Sequence, residues 1–126
     1  MTLAGTSAAL AAAAGLAAAA GPTAVLKAPN HAPKVGTHWN YTITARTASG
    51  KPAPATLTEQ IVDPLGTAHT VQLGNTKKDI AGLHFTGTFS DFIIWPAASR
   101  GIPLKLRATV TIGGKKIVIT VPVTPR

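Results

Sequence analysis

The chain contains no cysteine among its 126 residues, and only 4 residues are acidic. Without cysteine there is no disulfide, no thiolate nucleophile and no thiolate metal site. Hydrolysis by paired carboxylates needs two acids held in one cleft, but the sequence offers only Glu59, Asp63, Asp79 and Asp91, and Asp63 and Asp79 lie in turn-like sequence. Glu59 alternates with Leu57 and Ile61, which admits either an inward position or a bulged edge strand. We expect the edge or solvent position, and we predict that the protein is not an enzyme.

Histidine is also sparse, and its spacing does not suit a metal site. Zinc and copper sites usually draw ligands from close pairs or from preorganised strands. No His-x-His or His-x3-His pair occurs among His31, His38, His69 and His84. We therefore predict surface histidines, no metal ligand and no cofactor, and keep a metal-binding module only as a minor alternative.

Helical periodicity is absent after residue 21, whereas turn residues are frequent, with Gly 12 and Pro 10. This composition is typical of a small, turn-rich β protein of one domain. Residues 38–46 alternate between apolar and polar, which predicts a half-buried strand with Trp39 and Tyr41 facing the core. Further strands are predicted over 23–28 (a short edge strand), 55–63, 69–73 and 82–96, the last with a bulge or bend at Gly87.

The last two strands form the clearest pattern in the sequence. Apolar residues occupy alternate positions on both sides of Gly113-Gly114, and a two-residue glycine loop suits the turns that hairpins prefer. Pro122 cannot donate to a ladder, so the final strand should lie at a sheet edge or carry a bulge. The predicted cross-strand pairs, all on the apolar face, are Val110–Ile117, Ala108–Ile119 and Leu106–Val121.

Six to seven short strands separated by Gly and Pro turns predict an all-β fold, namely an immunoglobulin-like (fibronectin III-like) antiparallel β-sandwich. A small barrel is the alternative. We divide the chain into an Ala-rich, signal-peptide-like segment (1–20), a Pro-rich arm with a short edge strand (21–37) and the sandwich domain (38–126).

The first 26 residues contain no charged side chain, and Ala18-Ala19-Ala20-Gly21 has the small residues that signal peptidase requires. We therefore predict a secretory signal and a secreted or cell-envelope protein. A basic leader should precede such a region, so we expect that translation starts upstream or that the chain was trimmed. The alternatives are a low-complexity leader or an uncleaved anchor; alanine is too weakly apolar to favour a stable membrane span.

Several motifs occur in an order that resembles a known family: "KVGTHWNYTI", "SGKPAPATL", "GTFSDFIIWPAASRGIPLKLRATV" and "VTIGGKKIVITVPV". They resemble bacterial secreted immunoglobulin-like modules, including uncharacterised actinobacterial exported proteins. The resemblance covers residues 34–123 and departs at Ala55, where such modules often have glycine. It implies the sandwich fold and export, and it carries over no catalytic residue.

The formal net charge is +8, because Lys and Arg total 12, and such a charge attracts anionic partners. Lys105 and Arg107 should share the outer face of one strand, Arg46 should lie on an outer face elsewhere, and Lys51 should be exposed in a turn. We take these four as tentative ligand contacts. We expect a non-catalytic interaction or structural module, whose specific ligand the sequence does not identify. The alternative is a basic module that binds anionic envelope polymers or carbohydrate. The candidate partners are thus an anionic envelope polymer or another envelope protein, and not nucleic acid.

Overall fold

The computed structural model describes residues 21–126, so the predicted signal segment (1–20) lies outside the described residues. The described chain is all-β, and its strands form two antiparallel sheets around a shared apolar core. Within 21–126 the one helical piece is a 3-10 turn, Ala97–Ser99. The all-β class and its antiparallel two-sheet arrangement are thereby confirmed.

The smaller sheet has the strand order β1-β2-β6, formed by β1 (Thr23–Lys27), β2 (His38–Arg46) and β6 (Thr88–Ile94). In the larger sheet the central strand is β3 (Pro54–Val62), which pairs on one side with β7 (Leu104–Ile112), and β7 pairs with β8 (Lys115–Val123). On its other side β3 pairs first with β5 (Leu83–Thr86) and then with β4 (Ala68–Thr70).

The alternation of β2 determines which of its residues enter the core. Trp39 and Tyr41 are each 2% exposed, which confirms that both aromatic side chains face inward. Trp39 meets Trp95 edge to face with ring centroids 5.6 Å apart, and its Nε1–H donates to the Asn30 carbonyl oxygen at 3.0 Å. The indole is therefore held by packing and by a hydrogen bond to the preceding segment.

The predicted C-terminal hairpin is present in the predicted register, with Val110 opposite Ile117 and Leu106 opposite Val121. Gly113 and Gly114 have φ values of 55° and 81°, which a two-residue primed turn requires and which glycine adopts without steric cost. β8 pairs with β7 alone among the described strands, so Pro122 lies on an edge strand as expected.

The predicted strand over 82–96 is divided between the two sheets. β5 pairs with β3 in the larger sheet, Gly87 interrupts the strand, and β6 pairs with β2 in the smaller sheet. Gly87 has a φ of 77° and hydrogen-bonds to both neighbouring segments, through Ala45 N at 2.7 Å and Ala53 O at 3.0 Å. The bend expected at this glycine is thus a crossover between sheets.

Replacing Gly87 with alanine should lower the free energy of unfolding by about 2 kcal/mol, since a left-handed non-glycine residue is strained. A Cβ at this position would also lie 3.0 Å from Pro52 Cβ. Gly66→Ala is the matched control, because Gly66 has a φ of 87° with open space around it. Urea unfolding of both variants distinguishes the backbone strain, which both share, from the contact with Pro52, which only Gly87→Ala makes. Equal losses of unfolding free energy would show that the Pro52 contact adds nothing.

The third predicted strand, 69–73, is shorter and earlier in the structure, at Ala68–Thr70. Beyond Thr70 the regular strand ends, and Val71 and Ile80 are buried, at 5% and 0% exposed. Backbone bonds fix this loop: Val71 N donates to Glu59 O at 3.1 Å, and Glu59 N donates to Ile80 O at 3.0 Å.

The Pro-rich segment before β2 is bonded to the end of the chain. β1 is the short edge strand expected at 23–28 and pairs with β2 along its whole length. Beyond it, Val35 N donates to Arg126 O at 3.0 Å and Arg126 N donates to Pro33 O at 2.9 Å. Thr124 N donates to His31 O at 2.9 Å. Gly21, before β1, lies beside the Lys115 side chain at the opposite end of β8.

Candidate functional site

The four predicted contact residues form two separate pairs. Lys105 is exposed and Arg107 half-buried on the outer face of β7, in the larger sheet. Arg46 ends β2 in the smaller sheet, and Lys51 lies in the turn that follows, where Thr47 N donates to its carbonyl oxygen at 2.8 Å. The structure therefore places Lys105 and Arg107 together on the larger sheet, and it places Arg46 and Lys51 at the end of β2 and in the turn that follows it.

The outer side of the larger sheet is rich in hydroxyl and cationic groups. Arg107 lies opposite Thr120 on β8 and Gln60 on β3, and its Nη2 donates to Gln60 Oε1 at 2.6 Å. Lys116 is exposed opposite Thr111. We call this surface the basic face: it comprises Lys105, Arg107 and Lys116, together with the threonines Thr56, Thr58, Thr109, Thr111 and Thr120.

No carboxylate lies on the basic face. β7 and β8 contain no acidic residue, and the one acid of β3, Glu59, points into the core, where it is 0% exposed. At one end of the face, an open pocket of about 450 Å³ is lined in part by Thr56, His84 and Thr111. The face therefore combines positive charge, hydroxyl groups and a concave end.

The buried position of Glu59 corrects the expectation that this residue lies at an edge or in solvent. Glu59 alternates with Leu57 along β3, and that alternation directs it between the sheets. Tyr41 reaches it from β2, and the phenol O–H is 2.6 Å from Oε1 and 2.8 Å from Oε2. A buried carboxyl needs such a donor. The tyrosine expected only as a core side chain is also the polar partner of Glu59.

Burial dominates the electrostatics of this pair. Burial raises the pKa of Glu59 to about 7. The hydrogen bond from Tyr41 acts in the opposite direction and lowers this pKa, whereas the charge of Asp91 raises it. The pKa of Tyr41 is also raised, first by burial and then by Glu59. The phenol therefore remains protonated and acts as a donor. Because Glu59 has no exposed surface, this pair has no substrate-accessible carboxylate.

Asp91 lies at the rim of this buried pair. It is opposite Tyr41 in the β2–β6 ladder and is partly exposed. Its two carboxylate oxygens lie 3.1 and 3.2 Å from the backbone nitrogen of Gly74, which donates to them. Asp91 thus ties the 71–80 loop to the edge of β6.

Asp63 stabilises a turn. Its Oδ1 accepts bonds from Leu65 N at 2.9 Å and Thr67 N at 3.0 Å, and its Oδ2 is 2.9 Å from His69 Nε2. These contacts, led by the His69 bond, lower the pKa of Asp63.

No group of three metal-ligating side chains occurs within residues 21–126. In the same range no helix has the length and apolarity needed to cross a membrane.

Comparisons with known proteins give one distant structural likeness. No protein-family model and no curated protein matches the chain. Among solved structures, a crystal structure of a DUF4466 family protein from Parabacteroides merdae is similar to it, with 15% sequence identity and a TM-score of 0.45 over 84% of this chain. The chain spans 44% of that protein. This likeness shows no family.

Proposed function

We propose that this protein is a secreted or cell-envelope, non-catalytic interaction module with an immunoglobulin-like fold, and that its basic face binds anionic envelope polymers. The observation that carries the proposal is the charge of that face. Lys105, Arg107 and Lys116 lie on the outer side of β7 and β8, and no acidic side chain accompanies them there. An acidic envelope protein is the alternative partner.

The strand order supports an immunoglobulin-like sandwich. In such folds the first, second and fifth strands (A, B and E) share one sheet, and C, F and G share the other. Here β1, β2 and β6 form one sheet, and β3, β7 and β8 lie side by side in the other. The resemblance of the motifs in 34–123 to exported bacterial modules supports the same assignment.

The sequence of residues 1–20 supports export, because it is Ala-rich and contains no charged side chain.

The burial of Glu59 supports a non-catalytic role. Its carboxyl is enclosed by the two sheets and hydrogen-bonded to Tyr41. Its protonation state therefore affects the stability of the fold, and a ligand at the surface does not contact it.

Polymers with regular phosphate groups match the basic face in charge and chemistry. An arginine guanidinium has five N–H donors, and Arg107 uses one of its terminal nitrogens on Gln60, which fixes its position and leaves further donors for phosphate oxygens. Lysine acts as a point charge for the same ligand. Threonine hydroxyls between the cations add neutral donors. Binding by such contacts releases counterions and should therefore weaken steeply with salt.

We expect the protein to bind immobilised poly(glycerol phosphate) and to lose retention as sodium chloride is raised. The triple variant Lys105→Gln/Arg107→Gln/Lys116→Gln should reduce the slope of log K against log salt by about 2 to 3, the value for three phosphate contacts. Surface plasmon resonance at several salt concentrations measures this slope.

A charge-matched control distinguishes the basic face from net charge. Lys34→Gln/Arg46→Gln/Lys51→Gln removes three cations that lie outside this face, and it should leave the slope within about 1 unit of the wild-type value. Equal losses in the two triple variants would refute a specific face, and salt-insensitive or absent retention would refute anionic-polymer binding altogether.

A further inference from the structure

The open pocket at the end of the basic face is crossed by a single row of side chains, each on a different strand. Thr56 of β3 lies opposite Thr111 of β7 on one side and opposite His84 of β5 on the other. Lys116 of β8 lies opposite Thr111 and continues the row at the rim of the pocket. An apolar residue of the core adjoins each of the four along its strand, so all four face outward. We call these four residues the transverse row.

The transverse row offers hydrogen-bond donors from all of its side chains. Each threonine supplies a hydroxyl, His84 supplies at least one ring N–H in either charge state, and Lys116 supplies an ammonium group. Neighbouring strands lie about 4.8 Å apart, so the row spans about 14 Å, with the two hydroxyls at its middle. Among the described residues, none of those that line the pocket is acidic. The row is therefore suited to an anion that accepts several hydrogen bonds.

The pocket lies where the larger sheet ends. Gly113 and Gly114 line one side, and an added Cβ on either glycine would meet nothing within 4 Å. Pro54, which begins β3, and Thr86, which ends β5, also line it. Four residues of β7 separate the transverse row from Arg107, a distance of about 13 Å along the strand. A ligand that follows the strands from Arg107 toward the hairpin turn therefore reaches the pocket with its end.

We propose that the transverse row binds the terminal phosphomonoester of the envelope polymer, an inference that rests on the proposed function. At pH 7 a phosphomonoester carries a charge of about −1.5 to −2 and three strong acceptor oxygens. An internal phosphodiester carries a single charge and has one fewer free oxygen. The donors of the row are numerous enough for all the oxygens of a monoester, whereas Lys105 and Arg107 contact phosphates further along the polymer. The polymer thus lies along the strands with its phosphorylated end toward the hairpin turn.

Two small probes added to the full chain measure the preference for a monoester. We expect glycerol 3-phosphate to bind at least about fivefold more tightly than glycerophosphoglycerol, the matched diester, because it accepts one further charge-assisted hydrogen bond. In ¹⁵N NMR titrations with glycerol 3-phosphate, the largest backbone shifts should occur at Thr56, His84 and Thr111.

Matched variants locate the site. His84→Ala and Thr111→Val each remove one donor of the row and should each weaken binding of glycerol 3-phosphate about fivefold. His31→Ala and Thr120→Val change an exposed histidine and an exposed threonine outside the row, and both should leave the affinity unchanged. All four substitutions are at positions outside the buried core, so the folded state should be retained.

Poly(glycerol phosphate) with its terminal phosphate intact or removed by phosphatase relates the pocket to the polymer. The wild type should bind the intact polymer about fivefold more tightly, and His84→Ala should bind both forms equally. Equal affinity of the wild type for the two small probes, or full affinity in both row variants, would overturn the inference and leave salt-dependent polymer binding intact. Binding of glycerol 3-phosphate without salt-dependent retention of the polymer would instead refute the proposed function and make free phosphomonoesters the ligands of the pocket.

Discussion

Between pH 4 and pH 8, wild-type protein should lose about 3 kcal/mol of unfolding free energy that the Glu59→Gln variant retains. The origin is the buried carboxyl of Glu59, whose pKa is raised to about 7 from 4.5, chiefly by burial. Glutamine keeps the shape of the side chain and an oxygen to accept the Tyr41 hydrogen bond, and it cannot ionise.

The sign follows from proton binding in the two states. As pH rises above 4.5, the unfolded chain releases the Glu59 proton, whereas the folded protein keeps it until about pH 7. The folded state then binds more protons, so stability decreases with pH in this window. The contribution of the neutral carboxyl is fully present below pH 4.5 and is lost as pH rises through about 7.

Urea unfolding of both proteins at each pH unit provides the measurement, and the difference between the two curves removes the other titrating groups. Val118→Ala is the control, because it changes an exposed side chain that cannot ionise; its profile should stay parallel to that of the wild type. Parallel wild-type and Glu59→Gln profiles would contradict the role assigned to Glu59.

Trp39→Ala should be the most destabilising core substitution considered, at about 4 kcal/mol. The indole is 2% exposed, contacts Trp95 edge to face and has its ring centroid 5.9 Å from that of Tyr41. Its removal opens a cavity between the sheets and leaves the Asn30 carbonyl without its indole donor. Thermal or urea unfolding measures the loss.

Two further variants calibrate that result. Trp39→Phe keeps an aromatic ring and removes the hydrogen bond, so it should cost about half as much as Trp39→Ala. Val118→Ala removes an apolar side chain that is 55% exposed, and it should change stability by less than about 0.5 kcal/mol. If Trp39→Ala fell in the Val118→Ala range, the indole would not anchor the core.

The sequence predicted best those elements whose signals are local. The hairpin register follows from a Gly-Gly turn and from alternation in adjacent strands, and the inward aromatics of β2 follow from the alternation of residues 38–46. The 82–96 segment was predicted as one bent strand because periodicity shows which side of a strand is apolar. It does not show that the strand changes sheet at Gly87.

Glu59 illustrates why site prediction was less successful. Its inward position was visible in the alternation with Leu57, but the low tolerance of a core for charge favoured an edge. What makes the burial possible is Tyr41, which is 18 residues away in sequence and in the other sheet. Likewise, the shared face of Lys105 and Arg107 follows from strand periodicity, whereas the distance of Arg46 and Lys51 from them depends on tertiary structure.

The bonds between residues 31–35 and 124–126 have a mechanical consequence. They place the C-terminal residues at one end of the β-sheets, while Gly21 lies beside Lys115 at the other end. A stretching force applied between residues 21 and 126 would therefore act along the strands. The five residue pairs of β1–β2 would be loaded in shear, all at once rather than in succession. Tethered at both ends, the module should resist extension far better than a sheet peeled open from a single end.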